Sequence, residues 1–145
     1  MNKTLINIAL LISGIILFAL PQPSFMLIGG LPFLAYFAYI PIFILVRRLE
    51  WKFVWLYGML YGIGCYCLFT NWLATFHPMG ILVISFLYGL ELLITFPFLK
   101  LATTLFKKNG WIVQWIVWCA YEFLKTKGFA GFHYGYYIVS FLAPG

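Results

Sequence analysis

The acidic side chains of this chain are three glutamates, Glu50, Glu91 and Glu122, and two of them stand inside long apolar stretches. Glu91 falls near the middle of the stretch 79–99. An ionisable group there costs about 2.5–3.5 kcal/mol on membrane-insertion scales, so it must be protonated, paired or turned toward a wet cavity. Two readings stay open for it: a proton or substrate contact, or a neutral carboxyl bonded to a neighbouring helix. Glu122 precedes Lys125 by three residues, and Lys127 follows. On a helix Glu122 and Lys125 share one face. The plain reading is an interfacial ion pair; the functional one is a polar cluster of Glu122, Lys125 and Lys127 that holds an anionic phosphate.

The remaining chemistry-bearing residues are scattered. Cys65, Cys67 and Cys119 all sit in apolar runs. Cys65 and Cys67, two apart on a helix, point to nearly opposite faces and cannot chelate one metal together. They read as small packing residues. His77 and His133 lie in no metal-ligand spacing, and without aspartate there is no Ser-His-Asp arrangement. No glycine-rich phosphate loop follows a strand. On local chemistry alone the residues predict no catalytic machinery, no metal and no cofactor.

The elements that must position these residues are apolar throughout. Hydrophobic residues make up 65% of the 145, charged residues 8%, and mean hydropathy is +1.02. A soluble domain is roughly 45–50% apolar and about 25% charged. The composition therefore predicts an all-α, polytopic transmembrane helix bundle. The length allows about five to six segments of some 20 residues each. The runs are 4–20, 25–46, 53–69, 79–99, 111–124 and 129–142, the last two short for a full crossing. Pro21, Pro23, Pro32 and Pro41 break or kink the early part. Charged connections are expected at 47–52 and 100–110, and Lys125 to Gly128 is expected to end the fifth run. Gly58 and Gly62 make a small-xxx-small step suited to helix packing inside the molecule. Trp51, Trp55, Trp72, Trp111 and many tyrosines fall where aromatic belts form.

The net charge is +6, but the cations are dispersed, which argues against a nucleic-acid partner. Arg47, Arg48, Lys52, Lys100, Lys107 and Lys108 fall in alternate connections, while 21–24 and 70–78 hold no lysine or arginine. The positive-inside rule then puts the N-terminus and both charged loops in the cytoplasm. Lys125 and Lys127 land on the outer side, against the rule.

Two segments together carry a resemblance. The first is Leu20-Pro21-Gln22-Pro23-Ser24-Phe25 with Leu34-Ala35-Tyr36-Phe37-Ala38-Tyr39-Ile40-Pro41-Ile42-Phe43, leading into Arg47-Arg48. The second runs from Tyr121-Glu122-Phe123-Leu124-Lys125 through Gly128-Phe129-Ala130-Gly131-Phe132-His133-Tyr134-Gly135. With the turn Asn71-Trp72-Leu73, their order and spacing resemble the membrane domain of apolipoprotein N-acyltransferases, in the manner of spirochaete members. His133 and Tyr134 stand where proline and tryptophan are common, and Lys125 where arginine is common.

The resemblance implies a bacterial inner-membrane acyltransferase. Such an enzyme moves an acyl chain from phospholipid to the N-terminal cysteine of a lipoprotein, through a thioester on the cysteine of a nitrilase-like domain with a Glu-Lys-Cys triad. Residues 1–145 would be its N-terminal transmembrane domain, stopping before that catalytic domain, which is then lost, encoded separately or simply not included in this fragment. The chain alone is expected to be inactive, and no catalytic residue is carried over. Glu122, Lys125, Lys127, His133 and Tyr134 become candidates for contact with a lipid headgroup or for support of that domain. The alternative is a small multi-spanning transport or accessory protein with Glu91 as its coupling carboxylate. Proton-dependent flux abolished by Glu91→Gln would mark it.

Overall fold

A computed structural model describes residues 3–21, 33–34, 37–70 and 78–127. Among them the chain forms five α-helices: α1 (Lys3–Ala19), α2 (Ile40–Arg48), α3 (Trp51–Phe69), α4 (Pro78–Leu105) and α5 (Gly110–Lys127). The described residues are all-α. Two helices are long and apolar enough to cross a membrane, Trp51–Phe69 and Met79–Leu105.

Helix boundaries follow local chemistry at some ends and depart from it at others. Pro41, whose nitrogen carries no hydrogen, occupies the first turn of α2, where no intrahelical donor is needed. The backbone reaches it through tight turns, with the Phe37 N–H on the Leu34 carbonyl and the Ile40 N–H on the Phe37 carbonyl. The expected run 25–46 is thus not one helix up to Val46. Its C-terminal part enters α2, a helix of nine residues about 13 Å long that runs on to Arg48, and residues 22–32 and 35–36 lie outside the described set. The sixth run lies outside it as well.

Three expected breaks are corrected. The second charged connection does not begin at Lys100, because α4 continues to Leu105 and the turn is 106–109. Lys100 is tolerated in the helix with 8% exposure since its ammonium donates to the Arg47 carbonyl at 2.9 Å. That contact also supplies the C-terminal turn of α2 with a cation. Likewise α5 does not end at Lys125 but runs through Lys127. The first charged connection shrinks to Leu49 and Glu50, with an exposed Lys52–Glu50 ion pair at 3.0 Å.

Helices α3 and α4 pack most intimately. A Cβ on Gly58 would lie 2.6 Å from the Leu92 carbonyl oxygen, and one on Gly62 would lie 2.6 Å from that of Tyr88. The two backbones approach that closely only because those side chains are missing. Cys67 adds a thiol bond to the Ser85 hydroxyl at 3.3 Å, while Cys65, on another face, is fully buried. Helix α1 lies against α2 and α3, and α5 lies against α4. Helix α2 is central: Ile42, Leu45 and Val46 are fully buried. The outward faces are apolar, with Ile12, Leu56, Leu82, Ile94, Ile116 and Leu124 all exposed.

Candidate functional site

Two charged side chains of the apolar runs, Glu122 and Lys125, meet in one aromatic pocket. It is lined by residues of four helices and by Tyr39, the residue that caps α2. Glu122 and Lys125 come from α5, Tyr61, Cys65 and Tyr66 from α3, Leu92 from α4 and Phe18 from α1. The enclosed free space is about 10 Å³, close to what a single water needs.

Glu122 is 5% exposed. Its Oε1 accepts two hydrogen bonds, from the Tyr39 hydroxyl at 2.8 Å and from the Trp118 indole N–H at 3.0 Å. Trp118 stands one helical turn before Glu122, so both point to the same face of α5. A carboxylate deep in an apolar bundle persists only when donors surround it, and these two supply them. The Tyr39 and Trp118 rings lie 4.6 Å apart between centroids, which keeps the donors fixed.

Lys125 projects from the same helix into a cage of tyrosines. Its ammonium donates to the Tyr66 hydroxyl. It also lies 4.3 Å from the ring centre of Tyr88, 5.0 Å from that of Tyr66 and 5.5 Å from that of Tyr121. The negative ring faces attract the cation, and more strongly where water is excluded. Tyr66 and Tyr88 are themselves stacked, 3.5 Å apart and within 9° of parallel. Glu91, on α4, accepts the Tyr121 hydroxyl of α5 at 3.0 Å. A single patch thus joins α2, α3, α4 and α5 through charged and phenolic groups. We expect Lys125→Met, similar in volume but uncharged, to lower the melting temperature in detergent by several degrees. Lys125→Arg should recover most of the loss.

Glu122 and Lys125 line the same pocket, and Glu91 is one hydrogen bond from it through Tyr121. Gly58 and Gly62 lie apart, in the α3–α4 contact. Lys127 closes α5, its side chain outside the described residues, as are His133 and Tyr134. Sequence reasoning missed Tyr39, Tyr66, Tyr88, Trp118, Tyr121 and Gln114. Many tyrosines are expected in interfacial belts, yet Tyr39, Tyr61, Tyr66 and Tyr88 are all 6% exposed or less. Only the four-residue spacing of Gln114, Trp118 and Glu122 in an apolar run signalled a polar stripe facing inward.

A sequence profile of the apolipoprotein N-acyltransferase N-terminal domain matches residues 13–143. The chain belongs to the apolipoprotein N-acyltransferase family. It is similar to apolipoprotein N-acyltransferase 1 of Treponema denticola, with 38% identity over 130 residues, which is 90% of this chain and 24% of that protein. The protein of the same name from Treponema pallidum is 37% identical over 126 residues, 87% of this chain and 23% of the relative. The chain therefore spans about a quarter of the length of these curated relatives. No solved structure matches. The matched span contains every pocket residue except those before position 13, and none of the lining residues falls there.

Proposed function

We propose that this chain is the N-terminal membrane part of an apolipoprotein N-acyltransferase in the bacterial inner membrane. The observation that carries the reading is the family match across residues 13–143. The enzyme's substrates would be a phospholipid acyl donor and a lipoprotein bearing an N-terminal cysteine. The acyl-thioester chemistry belongs to a nitrilase-like portion of the enzyme, and this stretch alone is inactive in transfer. Its work is to hold that portion at the outer surface and to order the lipid beside it.

The threading follows from the cations: the N-terminus and the connections bearing Arg47, Arg48, Lys107 and Lys108 face the cytoplasm. Glu122 then lies about 18 Å along α5 from Gly110, in the outer half of a hydrocarbon layer about 30 Å thick. At that depth, and with Glu122 Oε1 and the Lys125 ammonium engaged inside the bundle, the two residues act as supports for α5. Headgroup contact falls to Lys127, His133 and Tyr134, which follow toward the outer side.

A chimera tests the proposal directly. Residues 1–145 are joined in frame to the part of the Treponema denticola relative that they do not cover. It is then expressed in cells depleted of their own N-acyltransferase. Restored growth and N-acylated lipoproteins, read by mass spectrometry of the modified cysteine, are the expected result. A chimera that is inserted and stable yet leaves lipoproteins diacylated would overturn the reading.

A further inference from the structure

Helix α2 is too short to cross a bilayer, and nine residues do not hold a helix unaided. Its position is fixed by one stripe. Tyr39, Phe43 and Arg47 recur every four residues, so they lie along one face. Each makes one hydrogen bond to a buried polar side chain of another helix. The Tyr39 hydroxyl donates to Glu122 at 2.8 Å, Gln114 Nε2 donates to the Phe43 carbonyl at 3.5 Å, and Lys100 donates to the Arg47 carbonyl at 2.9 Å.

The facing stripe on α5 has the same period in the opposite direction. Glu122 meets Tyr39, Trp118 packs its ring against Tyr39 and Phe43 with centroids at 4.6 and 6.3 Å, and Gln114 meets Phe43. Gln114 is completely buried, and its Oε1 has no hydrogen-bond partner among the described residues. An amide buried at that cost supplies something other than burial. A backbone carbonyl accepts from a donor at one height only, so these contacts set register. Apolar packing alone tolerates slippage.

We propose that Lys100, Gln114 and Glu122 are positioning residues that lock the depth of α2, and that α2 thereby serves as a fixed floor, topped by Tyr39, beneath the aromatic pocket. The lock uses groups on two different helices, so α2 moves only if α4 and α5 move with it.

The test is amide hydrogen exchange by mass spectrometry on the whole chain in detergent micelles. Lys100→Met and Gln114→Leu, singly and together, remove donors while keeping volume. Exchange in peptides covering 42–49 should rise roughly tenfold or more in the double variant, with α3 and the first half of α4 unchanged. Lys100→Arg should restore protection at the α2 C-terminus. Unchanged exchange in α2, or an equal rise in every helix, would overturn the proposal. In the enzyme that carries this chain, the double variant should raise KM for the phospholipid donor with kcat held within about twofold. That arm rests on the proposed acyl-transfer role. If α2 loosens and KM does not change, the proposed ordering of the lipid by this domain falls and the lock stands.

Discussion

Gly62→Leu should abolish the native bundle as a single cooperative unit. Even a bare Cβ at this position would meet the Tyr88 carbonyl oxygen at 2.6 Å and the Gly89 backbone at 2.8 Å. Both obstacles are backbone, so no rotamer change relieves them. The helices must separate, and separation undoes the Tyr66–Tyr88 stack and the Cys67–Ser85 contact on the same seam. Overpacking of this kind typically costs about 1–3 kcal/mol, and loss of the seam adds to it. Thermal unfolding in detergent followed by near-ultraviolet circular dichroism should show a broad, low-temperature transition. Gly64→Ala serves as the control, because a Cβ there meets only the side chain of Ile15. A Gly62→Leu protein that melts like the parent would show that α3 and α4 do not meet as described.

Glu122→Leu should be the most damaging single change in the pocket. It leaves the Tyr39 hydroxyl and the Trp118 N–H facing apolar surroundings. Each stranded donor costs about 1–3 kcal/mol, so the sum is about 3 kcal/mol or more. Glu122→Gln retains an acceptor oxygen and should lose about 1 kcal/mol. Tyr39→Phe combined with Glu122→Leu should be milder than the two single losses added, because the phenylalanine strands no donor. A melting series of the parent, both single variants and the pair reads this coupling. Strict additivity would mean that the Tyr39–Glu122 bond contributes nothing.

How far these features could be read beforehand differs from residue to residue. Helix α3 was legible to within two residues, since the charged pair Glu50 and Lys52 marks one end and the apolar run fills the rest. The close approach at Gly58 and Gly62 was also visible, because small residues at that spacing have few other uses in an apolar helix. The ends of α4 and α5 were not. Lysine normally signals an interface, and nothing nearby in the sequence says that Lys100 finds the Arg47 carbonyl or that Lys125 finds three tyrosine rings. The site's central bond, Tyr39 to Glu122, joins residues 83 apart. Composition cannot tell a tyrosine in an aromatic belt from one in a core, and here the core took Tyr39, Tyr61, Tyr66 and Tyr88.

Helix α4 has a consequence for how the molecule meets membranes of differing thickness. Its 28 residues extend about 42 Å, against about 28 Å for the 19 residues of α3 beside it. Pro97 lies within it and brings no amide hydrogen for the carbonyl of Leu93. A soft point one turn from the Lys100 contact divides a stiff N-terminal segment, clamped to α3 by glycines, from a shorter C-terminal segment. Hydrophobic mismatch should therefore be absorbed by lean of the C-terminal segment, leaving the tyrosine cage undistorted across bilayers of short and long acyl chains.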